Sequence, residues 1–356
     1  MFGSSLDNLK EYTRYDKNGV YETISRFSDQ FESGWHQAEF LQLSFDPEKI
    51  KNVVYVGMGA SNLAGKIIHS LSAYLLDVPF EVVSNYRLPA YSKKSTLVIL
   101  SSYSGHTQEV ISAGMDGLAR GTKIVCLSTG GQLQKLAEDN HLPFIKLDPK
   151  FNICHSPRLG LIQSLAASLG LIQRLKKEGG LNIDLKEMLS TINKALDYGN
   201  RHRDLKVNPA KSLAQSHQQK GIILIAANHL YGVADSVKNY LNESAKTFSV
   251  SYSLPDLNHH LLDGLTYPSD LKNDLRFILI NSQLYPQIIQ KRILLTQDTL
   301  IKQGYQVTTI KPESENPFSQ VLESLVFFTW FSYYLSIANK VDPSTNPWVD
   351  YFKKYL

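Results

Sequence analysis

Apolar residues along this 356-residue chain alternate between two patterns. Continuous β-type runs occur at 52–59 (NVVYVGMG), 95–102 (STLVILSS) and 122–129 (TKIVCLST). Runs that are apolar at every position, rather than at every second one, belong to strands buried on both faces of a parallel sheet. A shorter run, FEVVS (80–84), fits a further strand between the first two. Between the runs the period lengthens. Leu63, Ile67, Ile68, Leu71 and Leu75 line one helical stripe, and Val110, Ile111, Gly114, Met115 and Leu118 line the next. Strand, helix, strand, helix implies right-handed crossovers and a doubly wound sheet. The same pattern returns at 221–228 (GIILIAAN), 274–281 (DLRFILIN) and 305–312 (YQVTTIKP).

The chain therefore reads as α/β, with two tandem αβα sandwiches of one design. Its length suits two domains of about 150 residues. The expected boundaries are an N-terminal helical segment over 1–34, a first sandwich over 35–180, a helical connector over 181–212 and a second sandwich over 213–356. Gly179, Gly180 and Pro209 punctuate the ends of the connector. Two uncharged stretches, 159–173 and 324–339, fall short of the roughly 20 apolar residues that span a bilayer and read as buried helices. The second, SLVFFTWFSYYLSIA (324–338), carries more aromatic surface than one helix face easily hides. It fits either an isologous helix-packing interface or an internal core helix.

Charge and cysteine content narrow the setting. The net charge of +4 is dispersed, with no basic run longer than a Lys-Lys pair, which speaks against a phosphate-tracking nucleic-acid surface. Cys126 and Cys154 are the only cysteines and lack metal-type spacing, so no disulfide framework is expected and a reducing cytoplasm fits. The first residues, MFGSSLDNLKEYTRYDK, contain no apolar signal core.

The candidate chemistry begins where strands end. LVILSSYSGHTQEV (97–110) empties a buried run into Ser102, Tyr103, Ser104, Gly105, His106 and Thr107 before a helix starts. Ligands of doubly wound sheets sit outside the carboxyl ends of the strands, where helix N-termini favour anions. Gly105 permits close backbone approach, and Ser102, Ser104 and Thr107 add hydroxyls: together a cradle for a phosphate without a lysine. GMGASNLAG (57–65) ends the first strand similarly, with Gly59 and the hydroxyl of Ser61. Serines that merely cap helices are the plainer reading of one such turn; two on neighbouring strands favour an anion. A dinucleotide fingerprint fits worse, since Asn62 stands where its third glycine belongs, and no Walker loop is present.

GMGAS and SSYSGHTQE resemble the GMGGS and SYSGNTEE motifs of sugar isomerase (SIS) domains. The closer resemblance is to the bifunctional phosphoglucose/phosphomannose isomerases, which carry two such domains in tandem. SPRLGL (156–161) resembles their Pro-Pro-Arg segment, which implies that Arg158 lies beside the sugar phosphate. NESAK (242–246) resembles NENAK, whose glutamate is the catalytic base, which implies that role for Glu243. DLNHH (256–260) resembles ELNHN, whose histidine helps open the sugar ring. This implies His259, with His260 as the alternative. The tail DPSTNPWVDYFKKYL places Lys353 on the family's active-site lysine. The motifs span about residues 50 to 356. The sequence departs from the pattern at Ala60, His106, Leu261 and Ser344; Leu261 replaces an acid that could orient the histidine or raise its pKa.

The resemblance implies aldose–ketose isomerisation: glucose 6-phosphate or mannose 6-phosphate is interconverted with fructose 6-phosphate through a cis-enediol. That chemistry needs a carboxylate, an acid or cation near the oxygens and a fixed phosphate; it requires no metal or redox cofactor. The expected partners are a hexose 6-phosphate and a second copy in a homodimer that supplies the histidine in trans, without nucleic acid or membrane. The second sandwich's strand ends, AANHLYG and INSQLYP, lack a Ser-x-Ser-Gly cradle, which assigns phosphate holding to the first half and chemistry to the second. Two other readings stay open: a sugar-phosphate sensor without turnover, and an aminosugar-phosphate isomerase or deaminase.

Overall fold

A computed structural model describes residues 5–175 and 182–355. Gly179 and Gly180 lie outside the described residues. The chain divides into two compact units. The first runs from Arg26 to Leu189, and the second joins the segment ending at Ser25 to the segment that starts at Ser190.

Two short helices, α1 (Leu9–Tyr15) and α2 (Val20–Ser25), belong to the second unit. The first unit begins with α3 (Phe27–Glu39), so the break expected between residues 34 and 35 falls inside a helix. Its sheet consists of β1 (Asn52–Val56), β2 (Phe80–Val83), β3 (Thr96–Ser101), β4 (Lys123–Ser128) and β5 (Phe144–Lys146). These pair in the order β2-β1-β3-β4-β5, all parallel. The crossovers are α4 (Leu63–Leu75), α5 (Gln108–Ala119) and α6 (Gly131–Asp139), and α7 (Leu161–Gln173) packs along α3 and α4. Val54, Val56, Val98, Leu100 and Cys126 on neighbouring strands form one apolar cluster with Val110, Ala113 and Leu133 of the helices. Burial pushes the Cys126 thiol up to about 12, so it serves as a small apolar residue.

The chain continues through α8 (Leu185–Tyr198) and α9 (Pro209–Ser216). Pro209 opens α9 rather than ending a linker: its missing N–H costs nothing in a first turn, and the Asn208 side-chain carbonyl caps the Lys211 N–H at 3.1 Å. The second sheet holds β6 (Gly221–Ala227), β7 (Ser249–Leu254), β8 (Leu275–Ile280) and β9 (Gln306–Ile310), parallel and ordered β7-β6-β8-β9. Its helices are α10 (Asn228–Glu243), the one-turn α11 (Leu261–Gly264) and α12 (Leu271–Asp274), α13 (Gln287–Lys302), α14 (Pro317–Ala338) and α15 (Pro347–Lys353).

Both uncharged stretches are buried helices. At 22 residues, α14 is long and apolar enough to cross a membrane by composition, but most of it is buried within the unit. Its aromatic surplus is internal, because α1 and α2 cover it. Tyr12 stacks on Tyr333, Tyr21 packs on Trp330, and the Tyr333 hydroxyl donates to Asp16 at 3.1 Å. Those contacts explain why residues before Ser25 fold with the C-terminal half, and they settle α14 as an internal core helix.

Candidate active site

The first unit's turns meet at the switch point of its sheet. From β1 the chain crosses to β2 on one side, while β3 pairs on the other, so the carboxyl ends of β1 and β3 flank the crevice. After β1, a 3-10 turn, Gly59–Asn62, leads into α4. After β3, residues 102–107 lead into α5, and the Thr107 side chain makes no capping bond to that helix.

The two turns are bonded to each other. The Tyr103 N–H donates to Ser61 Oγ at 2.9 Å, which leaves the Ser61 hydroxyl proton to give to an anion. Ser102 is fully buried. Its Oγ accepts the Gly105 N–H at 3.1 Å and the Thr107 N–H at 3.4 Å, and lies 2.8 Å from Thr107 Oγ1. Of the two protons on this hydroxyl pair, one lies in the shared bond and the other is available to a ligand. Ser104 is exposed, and its Oγ accepts the His106 N–H at 3.3 Å. Gly105 has φ +71°, and a Cβ there would lie 1.8 Å from the Gly130 carbonyl oxygen, so the turn requires glycine twice over.

Arg158 joins this cluster through a third turn, Pro157–Gly160, which packs against Gly59–Asn62. Gly160 lies flat on Tyr103, since a Cβ there would sit 2.3 Å from the ring. The Tyr103 hydroxyl accepts from Asn152 Nδ2 at 2.8 Å, and the same amide donates to the Ser156 carbonyl at 2.9 Å. Burial raises the Tyr103 pKa, so the phenol stays neutral. Arg158 is 1% exposed, and a guanidinium keeps its charge when buried. The structure thus brings Gly59, Ser61, Ser102, Ser104, Thr107 and the Arg158 turn together. The Tyr103–Asn152 brace that holds them was not read from the sequence: Tyr103 lies inside the SSYSGHTQE motif, but nothing there points to Asn152, 49 residues on.

In the second unit the corresponding crevice, between β6 and β8, is filled by side chains bonded to one another. Gln320 Oε1 accepts from His229 Nε2 at 2.9 Å and from the Ser282 hydroxyl at 2.6 Å, and Gln320 Nε2 donates to the Ser314 carbonyl at 2.8 Å. Burial lowers the His229 pKa, so its ring is neutral. This crevice is closed by its own residues.

Glu243 is the last residue of α10 and is half-buried. Its neighbour Asn242 bonds both backbone groups of Ser249, at 2.8 and 3.3 Å, which puts Glu243 at the amino end of β7. His259 closes a 3-10 turn, Asp256–His259, beyond the carboxyl end of the same strand, and is exposed. Asn258 ties that turn to α13 through Thr296 at 2.8 Å. The acid in this turn, Asp256, approaches His260 at 3.7 Å. Lys353 lies in the exposed α15. Ser344 keeps a working hydroxyl: it donates to Asp342 at 2.6 Å and accepts from Asn18 at 2.7 Å. Among the described residues no cluster of His, Cys, Asp and Glu could hold a metal.

Residues 206–356 match the family described as the bacterial phospho-glucose isomerase C-terminal SIS domain. The bifunctional phosphoglucose/phosphomannose isomerase of Caldicellulosiruptor bescii is 23% identical over 338 residues, covering 95% of this chain and 98% of that protein. The enzyme of the same name from Aquifex aeolicus is 25% identical over 351 residues, with the same coverage. Among solved structures, a hypothetical protein from Thermus thermophilus superposes with a TM-score of 0.75 at 15% identity, over 98% of this chain and 92% of that one. Two parallel sheets with hydroxyl turns at the first switch point agree with these matches. The chain is thus similar over nearly its full length to enzymes named bifunctional phosphoglucose/phosphomannose isomerase, and its residues 206–356 match the C-terminal SIS domain family.

Proposed function

We propose that this protein is an aldose–ketose isomerase that interconverts fructose 6-phosphate with glucose 6-phosphate, mannose 6-phosphate or both. The observation that carries the reading is the near full-length similarity to enzymes named bifunctional phosphoglucose/phosphomannose isomerase. The hydroxyl turns and the buried Arg158 turn support it, since they supply donors and positive charge for a phosphate without a metal.

In this reading the first unit anchors the phosphate through Ser61, Ser102, Ser104 and Thr107, with Gly59 and Arg158 beside them. His259 moves a proton between the anomeric hydroxyl and the ring oxygen, which opens the sugar. The Glu243 carboxylate takes a proton from C1 of the ketose and returns it to C2, and Lys353 steadies the developing charge on the oxygens. As that proton moves from C1 to C2, a hydroxyl proton is lost from O1 and one is gained at O2, so the route through a cis-enediol balances without a redox cofactor. Because Glu243 and His259 stand at opposite ends of one strand, the working unit is a homodimer in which each histidine serves the other protomer. The cytoplasm, where hexose phosphates are found, is its setting.

A coupled assay starting from fructose 6-phosphate and scoring both aldose products tests the reading. Formation of glucose 6-phosphate or mannose 6-phosphate is expected. Binding without turnover would make the protein a sensor instead, and ammonia released from glucosamine 6-phosphate would make it an aminosugar enzyme.

A further inference from the structure

Lys246 ends the NESAK motif, and its ammonium is occupied in a way that ties two catalytic segments together. Nζ lies 2.6 Å from the Glu243 carbonyl oxygen, 2.9 Å from that of Asp342 and 2.6 Å from that of Thr345. An ammonium has three protons, and the three shortest contacts use them all, with the Ser244 carbonyl further off at 3.4 Å. The first carbonyl belongs to the last residue of α10, where a cation also meets the negative end of the helix dipole. The other two belong to the loop that leads into α15, whose first residue is Pro347. Lys246 adopts φ +51°, a left-handed conformation uncommon for lysine, which brings its side chain back over the helix end.

The rest of α15 has little else to hold it. Trp348, Val349, Tyr351, Phe352 and Lys353 are all exposed, so the loop at its root sets where the helix starts. We infer that Lys246 is a positioning residue for the isomerisation: it fixes the base-bearing end of α10 and the root of the helix that carries Lys353 to one another. The inference rests on the reading of Glu243 and Lys353 given above. Lys246 itself touches no substrate. Its removal acts through geometry, where a displacement of about 1 Å lowers a rate by roughly 10²-fold.

The test uses the full-length protein labelled with 5-fluorotryptophan. Of the three tryptophans, Trp35 and Trp330 are buried and Trp348, in α15, is 81% exposed, so one fluorine signal reports the tail. In Lys246→Met the Trp348 line should sharpen while the Trp35 and Trp330 lines stay in place. At the same time kcat should fall about 10–100-fold with KM changed less than about threefold. Lys246→Arg, which keeps a multidentate cation, should restore the wild-type line and most of kcat. An unchanged Trp348 line, or a sharpened line with wild-type kcat, would overturn the inference. Glu243→Gln run in parallel separates the two claims: if that variant isomerises normally, the parent reading fails, whereas the tail response to Lys246 is read from the fluorine line alone.

Discussion

Glu243 and His259 stand at opposite ends of β7, about 20 Å apart along a six-residue strand. If both act on one sugar ring, as proposed above, the histidine is expected from a second copy. Mixing Glu243→Gln and His259→Ala chains tests this. Each is expected to be inactive alone. In a mixed dimer one site receives both defects and the other neither, so random exchange should return about a quarter of wild-type activity. No recovery after exchange confirmed by mass spectrometry would mean that His259 serves its own chain or takes no part.

The phosphate turns separate hydroxyls that shape the site from those that face out. Ser102→Ala removes the acceptor of the Thr107 N–H, while the Gly105 N–H keeps the Ser102 carbonyl at 3.0 Å, so it should weaken sugar-phosphate binding by about 1–3 kcal/mol and also lower the melting temperature. Ser104→Ala, at an exposed hydroxyl, should weaken binding without the stability loss. Calorimetric titration with fructose 6-phosphate, alongside thermal melts, distinguishes the two. Equal melting of both variants would contradict this assignment.

Gly105→Ala should be more damaging than either. The left-handed backbone and the 1.8 Å approach to the Gly130 carbonyl leave no room for a methyl group. The turn must shift, which costs at least about 2 kcal/mol and should abolish phosphate binding. Denaturant unfolding of the variant measures the loss, and wild-type stability would show that the turn relaxes freely.

His217 gives the second unit an acid-sensitive element. It is 2% exposed, and its Nδ1 lies 2.9 Å from the Leu213 carbonyl. Its Nε2 is buried with no partner among the described residues. Burial, with Arg276 adding to it, lowers its pKa to about 4 from the ordinary histidine value of 6.5. Between those values the unfolded chain binds a proton that the native ring refuses, so stability is complete above about pH 6.5 and falls as pH drops toward 4. The loss from pH 7.5 to pH 5 should be about 2 kcal/mol. Chemical denaturation at both pH values should show a shallower dependence in His217→Gln, and equal slopes would rule this histidine out.

The alternation of strands and helices was legible because parallel strands buried on both faces write continuous apolar runs. β7 was not, since SVSYSL places a serine at every second position and reads as a polar segment; its edge position in the sheet tolerates that. The split of the first 34 residues was also hidden, because Tyr12 and Tyr21 find Trp330 and Tyr333 only in three dimensions. The hydroxyl turns announced themselves as unusual sequence at strand ends. Their brace did not: Asn152 and Tyr103 are 49 residues apart, and nothing in the motif around Tyr103 points to Asn152. Lys246 lay within a quoted motif, yet a lysine after a helix looks like a solvated cation until its carbonyl partners are seen.

The central claim is that the Glu243 carboxylate carries the proton between C1 and C2, and isotope exchange tests it most directly. Fructose 6-phosphate incubated with the wild type in D2O should yield aldose phosphate bearing deuterium at C2, followed by proton NMR. Glu243→Gln should keep sugar-phosphate affinity while exchange and turnover fall by roughly 10²–10⁴-fold. Deuterium entering at the wild-type rate in that variant would contradict the account.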